Sequence, residues 1–141
     1  MREILFRAKR TDNGEWAEGD LRQDRDLKTD YISGWDYYAT EGGLEREPFE
    51  YEVEPETLCQ YTGKSDEDGK KIFEGDIVGF IDLYSTESGY SESSCLGEVV
   101  WSEEECCFHV TNRLSAESWE VLDECKVVGN VFDNPELIEE Q

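Results

Sequence analysis

Residues 60–78 read QYTGKSDEDGKKIFEGDIV. The acidic tetrapeptide Asp66-Glu67-Asp68-Gly69 is a metal loop, a catalytic carboxylate cluster or a turn, and the fold depends on which. An EF-hand loop places carboxylates at positions 1, 3 and 5, glycine at 6 and a bidentate glutamate at 12. With Gly69 at position 6, Asp66 and Asp68 fall correctly, but Lys64 occupies position 1 and Gly75 position 12. The ligand set fails at both ends. Asp68-Gly69 instead supplies residues that tolerate positive φ, as a hairpin turn between Tyr61 and Ile72 needs. Gly75-Asp76 has a similar reading. Glycine permits a sharp entry into the strand that starts at Ile77-Val78, and aspartate favours the turn before it.

Outward from this stretch, the apolar segments are short, rich in Val, Ile and aromatics, and bounded by Gly, Asn and Asp. That is a strand-and-turn pattern, and it predicts a mainly β protein of antiparallel hairpins with one or two short helices. Ile4 to Lys9 and Trp16 to Leu21 flank a tight turn at Asn13-Gly14. Tyr31 to Thr40 is an aromatic strand ended by Gly42-Gly43. FEYEVEPE, residues 49–56, alternates strictly, with Phe49, Tyr51, Val53 and Pro55 on one face and Glu50, Glu52, Glu54 and Glu56 on the other. Asp76 to Tyr84 reads as a long buried strand, and Ser85 to Ser94 as a serine-rich loop. Gly97 to Trp101 and Cys107 to Val110 form a hairpin about the acidic turn Glu103-Glu104-Glu105. Leu114 to Cys125 fits a short helix or a strand equally. Lys126 to Phe132 is the last strand, and Asn134-Pro135-Glu136 starts a short helix, with Asn as N-cap and Pro at the first helical position.

At 141 residues the chain has the size of one ordinary domain, and one core over residues 1–141 is expected. Its 37% hydrophobic and 12% aromatic content argue against disorder despite a formal charge of −23. The charge is uneven: residues 72–141 hold 17 acidic side chains and two basic ones, Arg113 and Lys126. Such a surface disfavours direct binding to nucleic acid or to an anionic membrane through a basic patch, and favours basic partners. Self-repulsion also costs stability, and salt screens it over about 8–10 Å near physiological ionic strength. Added NaCl is therefore expected to raise the melting temperature; a melt that falls between low and moderate salt would contradict this.

The five cysteines, Cys59, Cys95, Cys106, Cys107 and Cys125, are an odd number without a C-x-x-C pair. Neither a disulfide framework nor a zinc ribbon starts this way. Residues 1–11, MREILFRAKRT, contain no apolar leader core, and no run approaches 18 apolar residues, so a cytoplasmic location with reduced thiols is expected. Within CCFH, residues 106–109, a strand would put Cys107 and His109 on one face and Cys106 on the other. Two ligands do not make a structural zinc site, and a plain strand position is the simpler reading against a Cys-His nucleophile pair. Neither G-x-G-x-x-G nor the complete phosphate-loop pattern G-x-x-x-x-G-K-[ST] is present: Gly63-Lys64-Ser65 has Leu58 where the first glycine would stand. With a single histidine, acid–base chemistry would need a carboxylate pair, and 36 acidic residues give no means of choosing one. No catalytic, metal or cofactor residue is therefore assigned, and a non-enzyme is expected.

Gln60-Tyr61-Thr62-Gly63, Asp68-Gly69-Lys70 and Ile72-Phe73-Glu74-Gly75-Asp76-Ile77-Val78 together resemble the signature of the YopX family of phage and prophage proteins. Met1-Arg2-Glu3-Ile4 with Phe6-Arg7-Ala8 resembles that family's start. Val128-Gly129-Asn130-Val131-Phe132 with Asn134-Pro135-Glu136-Leu137 resembles its ending. The resemblance spans the chain except residues 22–56 and 85–94. It implies a small, mainly β, barrel-like single domain of phage or prophage origin with no established activity. Its shared positions Tyr61, Thr62, Gly63, Gly69, Gly75 and Asp76 are turn formers and strand residues, a fold signature and not a set of reacting groups.

Two main functional expectations follow, with a third behind them. One is a non-enzymatic accessory protein that binds an unidentified protein partner or self-associates as a homo-oligomer. The aromatic run Tyr31, Trp35, Tyr37 and Tyr38 is its candidate interface, since Trp and Tyr are enriched at hot spots; alternate aromatics on a strand, however, usually pack inward. The other is an acidic DNA mimic that inhibits a host DNA-binding protein, drawn from the net charge and the row Glu50, Glu52, Glu54 and Glu56. Same-face strand residues lie about 6.6–6.8 Å apart, against one DNA charge per about 1.7 Å of axis. One row is too sparse for mimicry, and a charged edge that discourages aggregation is simpler. A small enzyme built on an unrecognised carboxylate pair is the third and weakest reading.

Overall fold

The computed structural model describes residues 2–112, 117–121 and 124–139. The chain forms two compact units, residues 1–61 and 62–141. In the first, β1 (Phe6–Lys9), β2 (Trp16–Asp24), β3 (Thr29–Thr40) and β4 (Gly43–Val53) follow one another as antiparallel neighbours in the order β4-β3-β2-β1. The turn between β1 and β2 uses Gly14 at φ 73°, with the Asn13 side chain accepting the Glu15 N–H at 2.9 Å. The connection is a four-residue loop, Thr11–Gly14, closed by the Gly14 N–H to the Arg10 carbonyl, and not the tight two-residue Asn-Gly turn, because only Gly14 takes positive φ. The single pair Arg10–Val53 joins the ends of β1 and β4, and the Glu54 N–H donates to the Lys9 carbonyl. No closed barrel results among the described residues. A 3-10 turn, Pro55–Thr57, leads to β5 (Cys59–Ser65), whose first residues pair with β1.

The core of this unit is small: Ala8, Ala17, Ile32 and Val53 are buried, with Phe6, Leu21, Phe49, Tyr51 and Leu58 packed around them. Cationic side chains lie on aromatic rings. Arg10 is 3.7 Å from the Tyr51 ring centroid, Arg22 is 4.2 Å from Tyr31, Arg46 is 3.9 Å from Trp35, and Arg7 is 4.9 Å from Trp16. Arg10, Arg22 and Arg46 are thus spread over three different rings.

The second unit contains the end of β5, then β6 (Lys71–Phe73), β7 (Asp76–Thr86), β8 (Gly89–Ser102), β9 (Cys107–Asn112), β10 (Glu117–Glu120) and β11 (Lys126–Asn130), followed by α1 (Glu136–Glu139). Five of these make an antiparallel sheet in the order β10-β9-β8-β7-β11. Ile72, Val78, Phe80, Val99, Val110, Val121 and Cys125 form its core.

The mainly β architecture of hairpins agrees with the sequence reading, and two details differ. Ser85 to Ser94 is not a loop: Thr86 pairs with Gly89 across a two-residue turn, and Ser85, Ser91, Ser93 and Ser94 all lie in the β7–β8 ladder. Backbone hydrogen bonds make this ladder, and they leave no apolar alternation to read. At the start of α1 the Asn134 backbone carbonyl receives the Leu137 N–H at 3.1 Å, and its Oδ1 accepts the Asn130 N–H at 3.3 Å. Finally, β4 ends at Val53, so Pro55 is exposed and the alternation of residues 49–56 stops three residues early. Of the segment that fitted helix or strand equally, residues 117–120 are a strand, while residues 114–116 and 122–123 lie outside the described residues.

Candidate functional site

The signature stretch is a pair of turns held by two buried aspartates. Asp66 is buried, and its carboxylate is fully engaged with backbone. Oδ1 accepts the N–H groups of Asp68 and Lys70 at 3.0 and 2.9 Å, while Oδ2 accepts that of Val127 on β11 at 2.9 Å. Burial pushes this carboxyl up, but the three N–H donors together outweigh it and hold the group below the usual carboxylate range. Gly69 sits in the turn at φ 82°. Asp76, 1% exposed, receives the Phe73 N–H on Oδ2 at 2.8 Å, closing the Glu74-Gly75 turn with Gly75 at φ 85°. Thr62 Oγ1 donates to the Ile72 carbonyl at 2.8 Å, Gly63 has φ 90°, and Tyr61 is buried. The five signature residues other than Tyr61 therefore serve backbone geometry.

The aromatic run lies elsewhere. Tyr31, Trp35 and Tyr37 share one face of β3, opposite the buried Ile32, and Tyr38 lies on the other face. Every residue from Trp35 to Pro48 is exposed on both faces of the β3–β4 hairpin, which makes this stretch a two-sided arm. Trp35 is 46%, Tyr37 63% and Leu44 72% exposed. The strand register Trp35↔Pro48, Tyr37↔Arg46 and Ala39↔Leu44 gathers these residues on one face. Asp36, Tyr38, Glu45 and Glu47 lie on the other, where the Tyr38 hydroxyl donates to Glu45 at 3.2 Å. The usual inward packing of strand aromatics does not hold here, because the unit's core ends at Ile32 and Phe49 and the hairpin runs on beyond it. Tyr31 is half-buried under the Arg22 guanidinium and is not part of the arm.

The acidic row is not uniform. Glu50 is held by Arg22 through two hydrogen bonds of 2.9 and 2.8 Å, which keep its carboxyl below the usual range. Glu52 accepts from the Thr11 hydroxyl at 3.2 Å, Glu54 is half-buried ahead of the 3-10 turn, and Glu56 is exposed within that turn. An open groove of about 480 Å³ at the root of the arm is lined by Asp20, Ser33, Gly34, Trp35, Pro48, Phe49 and Glu50. Two carboxylates border it, yet Glu50 is paired and ionised, an unsuitable state for a general acid. No group of three or more Cys, His, Asp or Glu residues is placed to hold a metal ion among the described residues, and no helix among them is long and apolar enough to cross a membrane.

These features define a small acidic protein of antiparallel sheets whose signature residues build turns and whose most exposed aromatics stand on a hairpin arm. Its sequence matches the family model "YopX protein" over residues 5–139. The chain belongs to the YopX family. Among solved structures it is similar to the crystal structure of protein EF1440 from Enterococcus faecalis, with a TM-score of 0.54 and 24% identity over 98% of this chain and 99% of that one. This likeness concerns the fold. No curated protein matches the chain.

Proposed function

We propose that this chain is a phage or prophage accessory protein that works in the bacterial cytoplasm as a non-enzymatic protein-binding module. The observation that supports this reading best is the arm, which presents Trp35, Tyr37, Leu44 and Pro48 to solvent together with Arg46. Exposed aromatic and arginine side chains are what interface hot spots are built from. Homo-oligomerisation through the same face is one form of this function.

The test is a double substitution, Trp35→Ser with Tyr37→Ser, in tagged protein used for pull-downs from a bacterial lysate at low and high salt. Because both side chains are exposed, the variant should lose no more than about 1 kcal/mol of stability, much of it from the Arg46 stacking. It should also lose a salt-resistant partner, or its own self-association. Unchanged partners and unchanged oligomeric state would remove the arm as an interface. DNA mimicry, the alternative, draws on the net charge of −23 but finds less support in the row at residues 50–56, where Glu50 is paired with Arg22 and Glu54 half-buried. Capture of basic DNA-binding proteins that leave in high salt, by wild type and variant alike, would favour it.

A further inference from the structure

Cys107 and His109, two residues apart on β9, face the same side, and Sγ of Cys107 lies 3.1 Å from Nε2 of His109. Cys107 is exposed. We propose that this pair is a thiol-exchange site, at which Cys107 takes up a small disulfide of neutral or cationic charge.

The chemistry needs only the groups present and the disulfide itself. The imidazole accepts the thiol proton, and the sulfur of Cys107 attacks one sulfur of the small disulfide along the S–S axis. The old S–S bond breaks as the new one forms. The departing thiolate takes the proton back from His109 and leaves as one equivalent of small thiol, with a mixed disulfide remaining on Cys107. The disulfide is the oxidant, and no other is required.

Charge sets the class of substrate. Glu103, Glu104 and Glu105 are exposed in the turn that immediately precedes Cys107, on a chain of net charge −23. An anionic disulfide approaches against this field, whereas a cationic one is drawn in. The neighbouring thiols serve as internal controls. Cys106 is exposed one residue away, but its Sγ faces the Glu103 carbonyl at 3.5 Å and not the imidazole. Cys59 and Cys125 are buried, and Cys95 is half-buried.

The experiment treats the folded full-length protein with cystamine, with glutathione disulfide and, as an irreversible probe that cannot pass between sulfurs, with iodoacetamide. Modification of each cysteine is followed by peptide mass spectrometry. Cys107 should react at least tenfold faster than Cys106 with iodoacetamide, and His109→Gln should remove that advantage while the melt stays cooperative. Cystamine should outpace glutathione disulfide several-fold at low salt, with the gap narrowing as NaCl screens the turn. Equal rates at Cys106 and Cys107 in the wild-type protein would overturn the proposal without recourse to any variant, as would an advantage that survives His109→Gln. Faster reaction with glutathione disulfide would overturn the assigned charge class.

Discussion

Replacing Asp66 by alanine is expected to cost on the order of 3–5 kcal/mol of folding stability, because three backbone N–H groups lose a charged acceptor in one step. Two of those donors belong to the residue 66–70 turn. The third belongs to Val127, so the carboxylate also fastens that turn to β11. Asp66→Asn should be almost as harmful, since its amide would set N–H against one of the N–H groups now satisfied. The measurement is urea unfolding at neutral pH. The acid limb gives a second reading. The carboxyl is held below its usual range in the fold, so its contribution is complete above the unfolded-state value near pH 4 and is lost as pH falls through the lower folded value. Stability of Asp66→Ala should accordingly fall less steeply than wild type below about pH 4. A variant within about 1 kcal/mol of wild type would mean that solvent satisfies those donors equally well.

Gly19→Ala is expected to be comparably severe for a different reason. A Cβ at this position would lie 2.2 Å from the Ser33 carbonyl oxygen and 3.2 Å from Ile32 Cγ2. The first obstacle is backbone of the adjoining strand, which cannot swing aside as a side chain can, so β2 and β3 must separate locally beside the buried Ile32. A loss of about 2–4 kcal/mol follows. Gly14→Ala is the matched control. It faces open space at φ 73° and should cost only about 1 kcal/mol of backbone strain. Thermal melts of the two variants side by side would show the difference, and equal losses would refute the steric account.

What the sequence made legible was mostly local. Gly14 and Gly69 mark their turns through positive φ, and both turns form near where the residues indicate, helped by the side chains of Asn13 and Asp66. The two hairpins flanking Gly14 and Glu103–Glu105 follow from short-range pairing. Less legible was what each turn residue does over distance. Nothing in the order of residues 66–69 announces that Asp66 reaches Val127, because that contact exists only once β11 has docked. The serine-rich ladder at 85–94 escaped because its pairing partner supplies the order and its own side chains do not.

The candidate surface was legible in composition but not in exposure. Tyr31, Trp35, Tyr37 and Tyr38 look alike on paper, yet the first rests under Arg22 and the others stand in solvent. The difference is where the core stops along β3, a property of the assembled sheet. For the same reason Cys107 and His109 were recognised as sharing a face, while their 3.1 Å approach required the rotamers that the fold selects.

The far edge of the arm has its own consequence. β4 is the outermost strand of its sheet, and between Leu44 and Glu50 it carries Glu45, Arg46, Glu47 and Pro48. A strand from another molecule that tried to extend the sheet here would meet a proline without an N–H to offer and a line of charges beside it. The arm can therefore display bare aromatic rings to the cell without templating a fibre, and whatever grips it must read side chains and not main chain.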